Sequence, residues 1–142
     1  MMASANVDVV RSIYSDWERG DFRRVEWAHH DIEYTDVDGL SPGRVTGLNA
    51  MAARWRDFVT DWGDFRAEAE EYRELDDERV LVLVRFIGRG KMSGLEIGHL
   101  QSKEADLFQV RDGKVTRWVA YWDRDRALAD FGLTREARFS GS

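Results

Sequence analysis

The stretch from Lys103 to Asp123, KEADLFQVRDGKVTRWVAYWD, constrains this chain more than any other. Two apolar arms flank Arg111-Asp112-Gly113-Lys114, and Asp-Gly supplies the positive-φ residues that a tight turn between antiparallel strands needs. The segment therefore reads as a β-hairpin. By the two-residue period of a strand, Asp106, Phe108 and Val110 share one face of the first arm, and Trp118, Ala120 and Trp122 share one face of the return arm. In that register Asp106 lies among aromatic rings, where a carboxylate either finds hydrogen-bond donors or shifts its pKa upward. A register change of one residue would turn Ala105 and Leu107 inward instead and leave Asp106 on the surface.

The rest of the chain supplies elements to pack against this hairpin. Val10, Ile13, Tyr14 and Trp17 recur at the spacing of one helix face, and Gly20 ends that helix. Asp21 is suited to cap a second helix with Phe22, Val25 and Ala28 turned inward, up to His29-His30-Asp31. Residues 32–36 alternate as a strand with Ile32, Tyr34 and Asp36 on one face. Residues 37–47 hold three glycines and the only proline, and read as a loop that rims a pocket. Leu48, Met51, Ala52, Trp55, Phe58, Val59 and Trp62 form the stripe of a third helix, closed by Gly63. From Phe65 the period changes to two. Strands are expected over 65–70, 80–87, 95–111 and 114–122, with Gly88, Gly90 and Gly94 loosening the connection between the second and third, and Asp123 capping a last short helix over 124–131. Helices grouped on one side of a mainly antiparallel sheet make an α+β domain.

The 142 residues suit one domain with a sizeable core. The net charge of −6 is spread over both signs, which argues against nucleic acid as a partner. The absence of cysteine rules out disulfides and thiolate chemistry. No apolar run is long enough to span a membrane, and the N-terminal residues lack a signal-peptide pattern, so a cytoplasmic protein is expected. Six Trp, seven Phe and four Tyr are many for this length, and rings of this kind line apolar pockets as well as cores.

The chain resembles the SnoaL-like group of the nuclear transport factor 2-like, ketosteroid isomerase-like superfamily. The residues that carry the resemblance are Arg19-Gly20-Asp21-Phe22, the Gly47 that opens a helix, the run from Phe108 to Trp118, and Tyr121-Trp122-Asp123 continuing to Leu133. It covers residues 6–133 and implies a cone-shaped fold: a strongly bent, mainly antiparallel sheet with three N-terminal helices and a short C-terminal one. It also implies a homodimer through the sheet face. Members of this superfamily include isomerases, cyclases, hydrolases and plain binding domains, so activity has to be tested residue by residue.

In ketosteroid isomerases one Asp is the base, while a Tyr and a protonated Asp stabilise the oxyanion. Asp36 and Asp106 match the two Asp positions; the Tyr position falls on Ile13, and Tyr14 shares its inward helix face. SnoaL-like polyketide cyclases use an Asp in the long strand before the hairpin together with a His. Asp106 resembles that Asp, and His99, seven residues earlier, falls on the opposite face unless a bulge intervenes. Limonene-epoxide hydrolases need an Asp where this chain has Ala120.

The candidate catalytic residues are accordingly Asp36, Asp106 and Tyr14. Trp17, Tyr34, Trp55, Phe108, Trp118 and Trp122 are the candidate walls for an apolar, carbonyl-bearing substrate. Each has a structural alternative: Asp36 as a loop cap, Tyr14 as a core tyrosine, the tryptophans as packing. His29 and His30 are adjacent and expected to diverge, and Glu68, Glu70, Glu71 and Glu74 read as a solvated face, so no metal and no organic cofactor is expected. Gly88-Arg89-Gly90 lacks the context of a phosphate loop and reads as a turn. The competing function is a non-catalytic ligand-binding or dimerisation module of the same fold.

Overall fold

The computed structural model describes residues 5–39, 42–60, 62–92 and 95–133, and the side chains of these except 62–64 and 88–102. Helix α1, Ala5–Trp17, buries Val7, Val10, Ile13, Tyr14 and Trp17, the face its spacing predicts. Strand β1, Ala28–Asp36, precedes β2, Gly43–Thr46, and helix α2, Leu48–Thr60. Four strands follow in a meander: β3, Trp62–Glu74; β4, Arg79–Met92; β5, Leu95–Arg111; β6, Lys114–Tyr121. Helix α3, Arg124–Asp130, comes last and is capped by Asp123, whose carboxylate accepts from the N–H groups of Asp125 and Arg126.

These strands form one curled, open six-stranded sheet in the order β2-β1-β6-β5-β4-β3. All neighbours are antiparallel except β1 and β6. The hairpin turn has the expected chemistry, with Asp112 at φ 51° and Gly113 at φ 77°. The fold is α+β, as the pattern of elements predicts, with the curled sheet that the family resemblance implies.

Helices α1 and α2 cover the inner face of the sheet, where the main core forms. Trp17, Trp55 and Trp118 meet one another there, with ring centroids 5.1 to 5.3 Å apart. Helix α3 covers the apolar part of the outer face: Leu81, Leu83, Ala105, Leu107, Val119 and Tyr121 are all buried. Around this patch the outer face is charged and paired, as in Arg85 with Glu68, Arg73 with Glu71, and Arg124 with Glu70. No helix among the described residues is long and apolar enough to cross a membrane.

Four sequence expectations are corrected, the first being that Trp62 and Gly63, expected at the end of the third helix, instead open β3. The second N-terminal helix does not form: residues 21–25 are irregular, and 26–27 turn into β1. Asp21 spends its carboxylate on the backbone and guanidinium of Arg23, and Arg24 reaches back to Asp16 and to the Ser12 carbonyl. The Trp27 carbonyl meanwhile accepts from Val115 of β6, so tertiary pairing draws this segment into extended chain. Within the expected loop 37–47, β2 pairs with β1. Gly88 and Gly90 belong to β4, which continues to Met92, rather than to a turn.

The loop after β1 packs closely. A Cβ built on Gly39 would lie 2.3 Å from Trp122 Nε1 and 2.6 Å from Asp36 Oδ2, so only glycine fits between them. Gly39→Ala is expected to lower stability by about 1–3 kcal/mol in urea unfolding, the usual cost of overpacking. A loss under about 0.5 kcal/mol, within the range of neutral surface substitutions, would contradict this packing.

Candidate functional site

The inner face of the sheet carries three buried acidic side chains: Asp36, Glu104 and Asp106. Asp36 ends β1 and pairs across the parallel ladder with Ala120 of β6, which pairs in turn with Asp106 of β5. The two aspartates therefore lie in one row and on one face, separated by a single methyl group. Two strand spacings put their Cα atoms roughly 10 Å apart. Solvent reaches the face here, since Asp36 and Ala120 are each 8% exposed while Asp106 is 1% exposed.

Asp106 is held from two sides. The Tyr14 hydroxyl donates to Oδ2, and Trp118 Nε1 donates to Oδ1 at 3.1 Å. Burial pushes the Asp106 pKa up to about 6, the two donors oppose the rise, and the Asp36 carboxylate adds to it. The Tyr14 pKa lies well above that of a free phenol, through burial and then through Asp106 itself. Asp36 is also raised, chiefly by burial, against the Gly39 N–H that donates to Oδ1 at 2.7 Å and the nearby Arg54 guanidinium. Asp36 thus does cap the loop, and it does so while facing the inner side of the sheet.

Glu104 lies two residues before Asp106 and so shares its face. Its Oε1 accepts from the Phe86 N–H at 3.1 Å, and its Oε2 is buried without a partner. Burial first, with the Asp106 carboxylate adding, pushes its pKa up to about 8 despite the Phe86 N–H and Arg124. The sequence reading missed it. Extending the alternation of Val110, Phe108 and Asp106 by one more step would have found it, but Lys103-Glu104 resembles an exposed charged pair.

The aromatic candidates divide into two groups. Trp17, Phe108 and Trp118 are at most 1% exposed and pack against several rings each, as core. Tyr34 and Trp55 keep a little exposure, and Trp122 is partly buried against Phe58 and Phe86. Trp55 Nε1 is buried without an acceptor.

A SnoaL-like domain pattern matches residues 10–118. The chain belongs to the SnoaL-like family. Solved structures share its fold: TerC, crystallised with polyporic acid, at 21% identity over 92% of this chain and 98% of that one, TM-score 0.70; a protein from Jannaschia described as a SnoaL-like polyketide cyclase, at 16% over 94% and 96%, TM-score 0.71; and a protein from Catenulispora acidiphila with a ketosteroid isomerase-like fold, in complex with trimethylamine, at 15% over 89% and 94%, TM-score 0.68. No curated protein matches the chain.

Within this SnoaL-like domain, only the methyl group of Ala120 stands between Asp36 and Asp106 along the row. His99 pairs with Arg89 through the backbone, and its side chain lies outside the described residues. His29 and His30 do not diverge as expected. Their rings stack at 4.2 Å, where the pairing of β1 with β6 shifts register between Ala28 and Glu33. Together with Asp31 they bring possible ligand atoms within 4.8 Å of one another. His29 Nδ1 already accepts from the Asp31 N–H at 3.0 Å, and His30 Nε2 lies 3.1 Å from Asp31 Oδ2.

The raised carboxyl pKa values carry a sign. A carboxyl that binds its proton more tightly in the folded state contributes stability at low pH, and loses it as pH rises through the folded pKa. For Glu104 that window runs from the ordinary Glu range near 4.3 to about 8; for Asp106, from near 3.9 to about 6. Glu104→Gln is expected to match the native protein in urea unfolding at pH 5 and to exceed it by about 1 kcal/mol or more at pH 8.5. An equal difference at both pH values would contradict the assignment.

Proposed function

We propose that the inner face of the sheet binds an apolar, carbonyl-bearing small molecule and that its carboxyls catalyse a proton shift, as in an isomerase or polyketide cyclase. The observation that carries this reading is the row Asp36, Ala120, Asp106 with the Tyr14 hydroxyl on Asp106. Two carboxyls on one face, one 8% and one 1% exposed, support a base and an acid working on one substrate. Between them stands only the methyl side chain of Ala120.

Asp36, the more exposed, takes the acidic C–H proton. Asp106 is the second proton-carrying group, and its protonated form is populated up to about pH 6. In that form the carboxyl turns its own O–H toward Tyr14, which frees the phenol proton for the substrate oxygen. Tyr34, Trp55 and Trp122 line the approach. Trp17, Phe108 and Trp118 set its floor.

Small-molecule binding without catalysis is the second reading, favoured by the dense ring packing around Trp118 and by the unsatisfied Trp55 Nε1. TerC and the Catenulispora acidiphila protein were both crystallised with small organic molecules, which supports ligand binding under either reading. Pairing of two copies through the outer sheet face has less support, because α3 already covers its apolar residues.

A simple C–H acid such as 2-tetralone separates the two readings. The protein is expected to accelerate deuterium exchange at its α-carbon, followed by NMR in D2O. Asp36→Asn should lower the rate by about 100-fold or more, in keeping with loss of a general base. Exchange no faster than in buffer, or equal for native protein and Asp36→Asn, would leave the binding module as the function.

A further inference from the structure

We propose that Glu104 is a third catalytic carboxyl of this site and the proton donor to the substrate oxygen at neutral pH. The inference rests on the acid–base reading above and deepens it. Its ground is hydrogen-bond geometry. Asp106 uses both oxygens as acceptors, one for the Tyr14 O–H and one for the Trp118 N–H. A carboxyl so arranged is set up to be ionised, and donates only after its bond to Tyr14 has been reversed. Glu104 is arranged differently. One oxygen accepts from the Phe86 N–H, and the other is buried with no partner, 1% of the residue being exposed. A buried oxygen left over in this way carries a cost unless it holds a proton and meets an acceptor. The described residues give this oxygen no hydrogen-bond partner, and a substrate carbonyl would supply an acceptor for its proton.

The position of Glu104 agrees with this role. It pairs with Val84 on β4, and continuing the β5–β6 register by one residue places it beside Trp122. Its row lies on the inner face next to the row of Asp36, Ala120 and Asp106, about 7 Å along the strand. Trp122 Nε1 and Asp36 Oδ2 both approach Gly39. Asp36 and Trp122 thus meet at Gly39 beside Ala120, and the register sets Glu104 next to Trp122 on the same face. The charged and titratable groups that face Glu104 are Asp106 on its own strand, Tyr14 from α1 and Arg124 from α3. Arg124 is engaged elsewhere: its guanidinium donates to the Glu104 and Val84 carbonyls and to the Glu70 carboxylate. The nearer influence on the Glu104 carboxyl is Asp106, whose ionisation helps Glu104 keep its proton.

The proton ledger closes. Asp36 takes the proton from the carbon next to the carbonyl as that C–H bond breaks, and the electron pair moves onto the carbonyl oxygen. The Glu104 O–H proton passes to that oxygen, leaving a neutral enol and a Glu104 carboxylate. In the return step the enol proton goes back to Glu104, and Asp36 delivers its proton to the same carbon or to a conjugated one. Both side chains end as they began.

The exchange of 2-tetralone tests this through its pH profile. In the native protein the rate should rise as Asp36 ionises and fall as Glu104 loses its proton near pH 8. Glu104→Gln should lose about tenfold or more at pH 7, lose the alkaline decline, and retain a larger share of the native rate at pH 5, where protonated Asp106 with Tyr14 serves as donor. Glu104→Asp should recover part of the neutral rate. A purely structural Glu104 would scale the whole profile without moving its alkaline limb. If Glu104→Gln keeps the native rate and limb while Asp36→Asn is inactive, the donor role is wrong and the acid–base reading stands. If native protein and Asp36→Asn exchange equally, both are wrong.

Discussion

The structure depends on one buried carboxylate and the two donors that satisfy it. Asp106 is sealed under the aromatic core, and an isolated charge there would cost far more than the domain's net stability. The Tyr14 hydroxyl and the Trp118 indole each fill one of its oxygens. Tyr14 belongs to α1, Asp106 to β5 and Trp118 to β6, so the network joins the first helix to the long hairpin near the other end of the chain. A buried polar group of this kind favours one docking of α1 over others, because a shifted helix would leave Asp106 without its donor. The remaining rings of the core, Trp17, Trp55 and Phe108, pack around that junction.

From this junction the site follows by register. Pairing of β1 with β6 and of β6 with β5 carries the row from Asp106 through Ala120 to Asp36, and the two-residue period carries it along β5 to Glu104. The three carboxyls differ in what surrounds them. Asp36 has a backbone donor and some solvent, Asp106 has two side-chain donors and no solvent, and Glu104 has one donor and one unpaired oxygen. Graded environments of this sort separate the proton affinities of like groups, which is what a site that both takes and gives protons requires.

Much of this was legible in the sequence, and the exceptions have physical causes. Local patterns held wherever a segment's own chemistry decided its state. The Asp112-Gly113 turn, the buried stripe of α1, the strand ending at Asp36 and the Asp123 cap all formed as read. The second helix failed because its start signal, Asp21, has a stronger local partner in Arg23, and because pairing with β6 claims the following residues. The short β2 was hidden in a glycine-rich segment that pairs only because β1 offers an edge. Glu104 was hidden by composition, since a glutamate beside a lysine looks solvated until the strand's face is known. The tryptophan pair at positions 17 and 118 read as wall or core and is core; that Trp118 donates to Asp106 depends on the fold of both strands and on no local motif.

The central claim is that Asp36 and Asp106 share one desolvated site. Carboxyl-carbon NMR titration of Asp106, in the native protein and in Asp36→Asn, tests it most directly. A midpoint near 6 that falls when the neighbouring charge is removed is the result predicted. A midpoint in the ordinary aspartate range, unchanged by Asp36→Asn, would show two independent surface-like carboxylates and contradict the account.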